Sequence, residues 1–164
     1  MREIVLIIHD IRSTHNVGSL FRTAEGLGVE QIYCTGYTPY PATENDDRLP
    51  HLATKLTKQI NKTALGAEST VPWAHHESVE DLLSNLKDQG YQTIALEQDA
   101  RSVPLPEFKP SDKCVVLIGR EVEGVEQQLL DLCESIVEIP MYGTKESFNV
   151  AQAAAIMLYT LRES

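Results

Sequence analysis

EIVLIIHDIRSTHNVGSLFRTAEGLGVEQIYCT, residues 3–35, reads as strand, helix and strand in succession. EIVLII (3–8) is a continuous apolar run rich in β-branched residues, the pattern of a strand covered on both faces. Val17, Leu20, Phe21, Ala24 and Leu27 then recur at helical spacing within 13–29. Ser13, Thr14 or Asn16 is a candidate cap for that helix, and Gly26 or Gly28 a candidate end. EQIYCT (30–35) is a second strand. A buried strand followed by a helix and another strand predicts a parallel βαβ unit.

The same alternation continues outward. GYTPYPATENDDRLP (36–50) is a loop, followed by a short helix over roughly 51–60 and a short strand in 69–75. SVEDLLSNLKDQG (78–90) is an amphipathic helix with Val79, Leu82, Leu83 and Leu86 on one face. YQTIALE (91–97) is a strand, SVPLPEFKPSD (102–112) a Pro-rich connector, and KCVVLIG (113–119) another apolar strand. A helix over 125–133, a strand over 135–140, a loop over 141–147 and an Ala-rich helix over 148–164 complete the chain. The expectation is one α/β domain over residues 1–164, with a mostly parallel sheet and helices on both faces. Ligands of such sheets bind beyond the carboxyl ends of the strands, so the loops after 3–8, 113–118 and 135–139 are the places to look.

Composition narrows the classes. The 164 residues are 42% hydrophobic and 23% charged, ordinary globular values. No apolar run approaches the roughly 20 residues of a bilayer span, and the first ten residues hold no cleavable leader pattern. The reading is a soluble cytoplasmic chain with no membrane partner. Cys34, Cys114 and Cys133 form no C-x-x-C pair, and the five histidines show no ligand spacing, so no metal is expected. The net charge of −10 is unevenly placed: residues 67–138 carry fifteen acids and five bases, whereas residues 1–66 carry seven of each. RLPHLATKLTKQINK (48–62) holds Arg48, Lys55, Lys58 and Lys62 and no acid. A local basic strip of this kind supplies a surface for phosphates even on an acidic chain.

Phosphate-loop, dinucleotide and nucleophile-elbow motifs are absent. Three other segments stand out: HNVGSLFRTA (15–24), LIGREVEGV (117–125) and IPMYGTKESFNVAQAAA (139–155). They resemble, in order and spacing, the three motifs of the SpoU/TrmH family of SPOUT RNA methyltransferases. KTALGA (62–67) resembles a further segment found between the first two motifs. The resemblance runs from about Ile4 to Leu161.

What the resemblance implies goes beyond the pattern. It implies a deep trefoil knot at the C-terminal end of the α/β domain, S-adenosylmethionine as cofactor, a homodimer, and methyl transfer to a ribose 2′-hydroxyl of tRNA or, with less support, rRNA. Base methylation by the same fold is the alternative enzyme, and a binding protein without turnover the non-enzymatic one. The implied catalytic residues are Arg22, Asn16, Glu121, Ser147 and Asn149. The implied cofactor residues are Leu96, Gly119, Glu121, Gly124, Ile139, Met141, Gly143, Ser147 and Phe148. RNA is expected along Arg22, Arg48, Lys55, Lys58 and Lys62. Arg120 departs from the family pattern, where small or polar residues are common. The chain is close to a minimal catalytic domain, which leaves substrate docking to the dimer, the 36–50 loop and the basic strip.

Overall fold

The computed structural model describes residues 1–164. Seven strands form one sheet in the order β3-β2-β1-β6-β4-β7-β5, and every pairing is parallel. They are β1 (Glu3–His9), β2 (Gln31–Thr35), β3 (Trp73–His76), β4 (Gln92–Leu96), β5 (Val103–Pro104), β6 (Lys113–Ile118) and β7 (Ser135–Glu138). The helices are α1 (Thr14–Gly26), α2 (Pro50–Ala64), α3 (Val79–Asp88), α4 (Gln127–Leu132) and α5 (Val150–Glu163). No helix is long and apolar enough to cross a membrane.

Strand alternation divides the core into two layers. On β1, Ile4, Leu6 and Ile8 face α1 and α5, while Val5 and Ile7 face α3 and α4. On β6 the same division sends Cys114, Val116 and Ile118 one way and Val115 and Leu117 the other. Both strands are therefore apolar through their middles, Ile4–Ile8 and Cys114–Ile118, as parallel strands covered on both faces must be. Cys34 and Cys114 are buried as small apolar residues, and burial pushes the Cys34 thiol up to about 12.

Ser13 caps α1, its side chain accepting the Asn16 N–H at 3.1 Å. This leaves the Asn16 side chain free for another task. Helix α2 runs from Pro50 to Ala64, longer than the 51–60 expected, because Pro50 starts it and Leu65 closes it in the left-handed conformation at φ 52°. It lies against α1 so closely that Gly18 is required at the crossing: a Cβ there would strike Thr63 Oγ1 and the Ile60 carbonyl. Thr63 Oγ1 instead donates to the His15 carbonyl at 2.8 Å.

The connector 102–112 is not featureless. Val103 and Pro104 pair with Val137 and Glu138 as a two-residue edge strand, and a single 3-10 turn follows at Leu105–Glu107. A proline is tolerated there because an edge strand has one side without ladder bonds.

Strands β1 and β6 are neighbours, yet α1 leaves one face of the sheet and α4 the other. Their outgoing loops part at the carboxyl end of the sheet, where such folds open a crevice. The loops after β4 and β7 reach the same end.

Candidate active site

A cavity of about 270 Å³ occupies that crevice, near the lower end of small-molecule sites. Leu96 and Ile118 come from strand ends, Ile139, Met141 and Phe148 from the loop after β7, and Val150 and Ala153 from α5. Gly119 and Gly124 close the loop after β6 through paired backbone bonds between Arg120 and Gly124 at 3.0 and 3.1 Å. A Cβ on Gly119 would lie 2.6 Å from the Gly124 carbonyl oxygen, so only glycine lets this loop fold back on its strand.

The three motif segments meet through a single chain of hydrogen bonds. Asn149 caps α5, its Oδ1 accepting from Ala151 N at 2.9 Å and Gln152 N at 3.4 Å. Its Nδ2 donates to Asn16 Oδ1 at 3.2 Å. Asn16 Nδ2 in turn donates to Glu121 Oε1 at 3.5 Å. Glu121 also accepts the N–H groups of Ser13 at 3.0 Å and Arg12 at 3.4 Å. Burial works to raise the Glu121 pKa, but these amide donors outweigh it and hold the carboxyl below its ordinary value. Glu121 is thus a clamp between the loop after β6 and the start of α1.

Most of the expected cofactor residues line the cavity: Leu96, Gly119, Glu121, Gly124, Ile139, Met141, Ser147 and Phe148. Gly143 does not; it is exposed, with open space around its Cβ position. Ser147 lines the cavity but does not cap α5, a task that falls to Asn149 alone. Arg22 lies outside the cavity, in a surface hollow with Ser19, Thr23, Lys62, Thr63 and Leu65. Arg120 is at the cavity wall and is partnered by Glu126 at 3.3 Å.

The basic strip is narrower than expected. Lys55, Lys58 and Lys62 lie on one exposed edge of α2, and Lys62 joins them to Arg22. Arg48 is excluded. Its side chain is only 15% exposed, pairs with Asp46 at 2.6 Å, and donates to the Tyr40 and Pro41 carbonyls at 2.9 and 3.0 Å. The segment that looked basic in one dimension contains one arginine turned inward to organise the 36–50 loop.

Several features escaped the sequence reading. Glu97 reaches under the glycine loop and accepts the Val125 N–H at 3.0 Å. Gln98 Nε2 donates to the Glu146 carbonyl at 2.8 Å, tying the loop after β4 to the loop after β7. Glu97, Glu123, Glu138 and Glu146 join Glu121 in the lining, giving it five carboxylates. The fold also brings ligand atoms of His9, Asp10 and Glu126 within 4.8 Å of one another, although their spacing in the chain shows no metal pattern.

Comparison with known proteins bears on this arrangement. The model of the SpoU rRNA methylase family matches residues 3–159. The chain is similar to the tRNA (guanosine(18)-2′-O)-methyltransferase of Escherichia coli strain K12, 27% identical over 157 residues, which is 96% of this chain and 62% of that protein. It is 28% identical over 159 residues to a 23S rRNA (guanosine-2′-O-)-methyltransferase of Neisseria meningitidis serogroup B, covering 97% of this chain and 58% of that protein. The chain therefore spans about three fifths of the length of these relatives. Among solved structures, the AdoMet-bound rRNA methyltransferase of Sinorhizobium meliloti superposes with a TM-score of 0.81 at 24% identity, over 99% of this chain and 57% of that one. That likeness shows the fold.

Proposed function

Since the chain belongs to the SpoU rRNA methylase family, we propose that it transfers a methyl group from S-adenosylmethionine to a ribose 2′-hydroxyl of RNA, with tRNA the first substrate to try and rRNA the second. The single observation that carries this reading is the relay Asn149–Asn16–Glu121, which joins all three motif segments at the cavity rim. The similar proteins named for 2′-O-methylation of tRNA and 23S rRNA support it.

The lining fits the cofactor. Leu96, Ile118, Ile139 and Phe148 offer the apolar walls an adenine needs. Glu97, Glu138 and Glu146 add carboxylates to the lining, which suits a cofactor that carries positive charge. Held there, S-adenosylmethionine would supply an electrophilic methyl group for a ribose oxygen whose proton passes to solvent or phosphate, and would itself be left as the neutral thioether.

The chain's own residues position and shield. Glu121 holds the start of α1 against the glycine loop, and Asn16 keeps the start of α5 in register with both. Much of the acceleration in such a displacement comes from holding reactants in line. A guanidinium is a poor base, so Arg22 serves as a cation that positions the substrate through its phosphate. Its place beside Lys62 supports that role, with Lys55 and Lys58 extending the phosphate track. The trefoil knot and the homodimer implied by the motifs are part of the proposal. Exposed Ile156 and Tyr159 on α5, the helix packed beside α1, support a second copy seated there.

The test incubates purified protein with S-adenosylmethionine and RNA from a strain lacking the gene, then counts modified nucleosides by mass spectrometry. A gain in one 2′-O-methylnucleoside is expected. A gain in a methylated base instead would overturn the ribose reading. Arg22→Ala should abolish the gain while cofactor affinity, measured by calorimetry, stays unchanged, because Arg22 lines no part of the cavity.

A further inference from the structure

A second hollow, of about 670 Å³, opens beside the active-site cavity. Its walls are the Arg12–His15 segment, the Gly36–Tyr40 turn, and Leu56 and Gln59 of α2. We propose that it seats one unpaired nucleobase of the RNA, stacked on Tyr37 with the Arg12 guanidinium alongside. The proposal rests on the RNA-methylation reading and adds to it a site for the base.

Tyr37 is a large aromatic side chain left 48% exposed. Its ring meets no other aromatic ring and has only the Arg12 guanidinium over it, while its backbone is fixed: the Tyr37 N–H donates to Asp10 Oδ1 at 3.0 Å. The next residue, Thr38, is buried, donating to the Ile8 carbonyl at 2.9 Å and accepting the Ile11 N–H at 3.1 Å. A ring held by its main chain and half exposed loses little entropy when a second ring stacks on it. The Arg12 guanidinium carbon lies 5.5 Å from the Tyr37 ring centre, and Arg12 has no ion-pair partner. An aromatic face with a free cation beside it suits a base and its phosphate.

The wall behind is already complete. Tyr40 and His75 stack at 4.3 Å, and Arg48 covers Tyr40 at 3.7 Å. Those rings are occupied by each other, which leaves Tyr37 as the open face.

Charge and position both favour RNA as the occupant. No carboxylate lines this hollow, whereas five glutamates line its neighbour. Gln59 belongs both to this hollow and to the groove of Lys55, Lys58 and Lys62, so a strand tracking the lysines passes its rim. Arg12 and Ser13 line the hollow and hold Glu121 of the active-site cavity with their N–H groups. A base seated on Tyr37 thus belongs to the nucleotide being methylated or to one beside it. Stacking of this kind accepts any base, so Tyr37 would provide affinity and placement rather than sequence choice.

The experiment compares wild type, Tyr37→Ala and Tyr37→Trp. Binding of a short oligoadenylate containing 2-aminopurine is followed by fluorescence at low salt, and KM for RNA is read in the methyl-transfer assay. Tyr37→Ala should weaken affinity or raise KM about tenfold, with loss of the stacking quench, and Tyr37→Trp should restore both. Cofactor affinity and melting temperature should not change. Unchanged oligonucleotide affinity and unchanged KM in Tyr37→Ala would overturn the proposal while leaving RNA methylation standing. A wild type that neither binds the oligonucleotide nor methylates RNA would overturn both.

Discussion

Asn149 carries two tasks on one side chain, and substitution can separate them. Asn149→Asp keeps an oxygen to cap α5 but replaces the donor to Asn16 with a second acceptor. Its melting temperature should stay near wild type while methyl transfer falls at least tenfold, whereas Asn149→Ala should lose both activity and about 1 kcal/mol of stability. Thermal melts and nucleoside counting on the two variants check this. Glu121 gives a pH prediction with a definite sign. Its folded pKa is depressed, so the clamp is fully present above the ordinary carboxylate value and is released as pH falls through the lower folded value. The difference in cofactor affinity between wild type and Glu121→Gln, which isolates the clamp from the other carboxylates of the lining, should therefore hold steady through the ordinary glutamate range and shrink only below it. The sequence marked Asn16, Glu121 and Asn149 as residues of interest but could not pair them. Asn16 is separated from the other two by 105 and 133 positions, and only the folded sheet brings them into contact.

At the scale of elements, the apolar strands and amphipathic helices were legible because their patterns are local. The two-residue β5 was not: Val103 and Pro104 have no periodicity, and their pairing depends on the edge that β7 offers. The full extent of α2 was also hidden, because Asn61, Lys62 and Thr63 show no apolar repeat and are helical through packing against α1. That packing depends on Gly18. Gly18→Ala should push α2 off α1 and cost about 1–3 kcal/mol, since the obstructing atoms include backbone that cannot yield. Chemical denaturation should show the midpoint falling with the slope unchanged. Because α2 carries the three lysines and a wall of the Tyr37 hollow, the same variant should bind RNA less tightly than its residual stability would suggest.

Across the whole molecule, linear charge counting separated an acidic middle from a neutral start but could not show that Arg48 sits apart from the three lysines, in an environment set by Asp46 and Tyr40. The three lysines that do face solvent should each release about one counterion on binding RNA. Replacing Lys55, Lys58 and Lys62 together by alanine should reduce the slope of log affinity against log salt by roughly 2 to 3. A titration of affinity across salt concentrations measures it directly. The unequal placement of charge has a further consequence for the approach of a substrate. A chain of net charge −10 repels a polyanion at long range, but four of its fourteen cations, Arg22, Lys55, Lys58 and Lys62, share one edge. Such a body carries a permanent electric dipole, and the field of an RNA exerts a torque on it before contact. An RNA substrate would thus be met lysine edge first, in the orientation that docking on α2 needs. Added salt removes the torque along with the attraction, and wrong-way collisions then become as frequent as right-way ones.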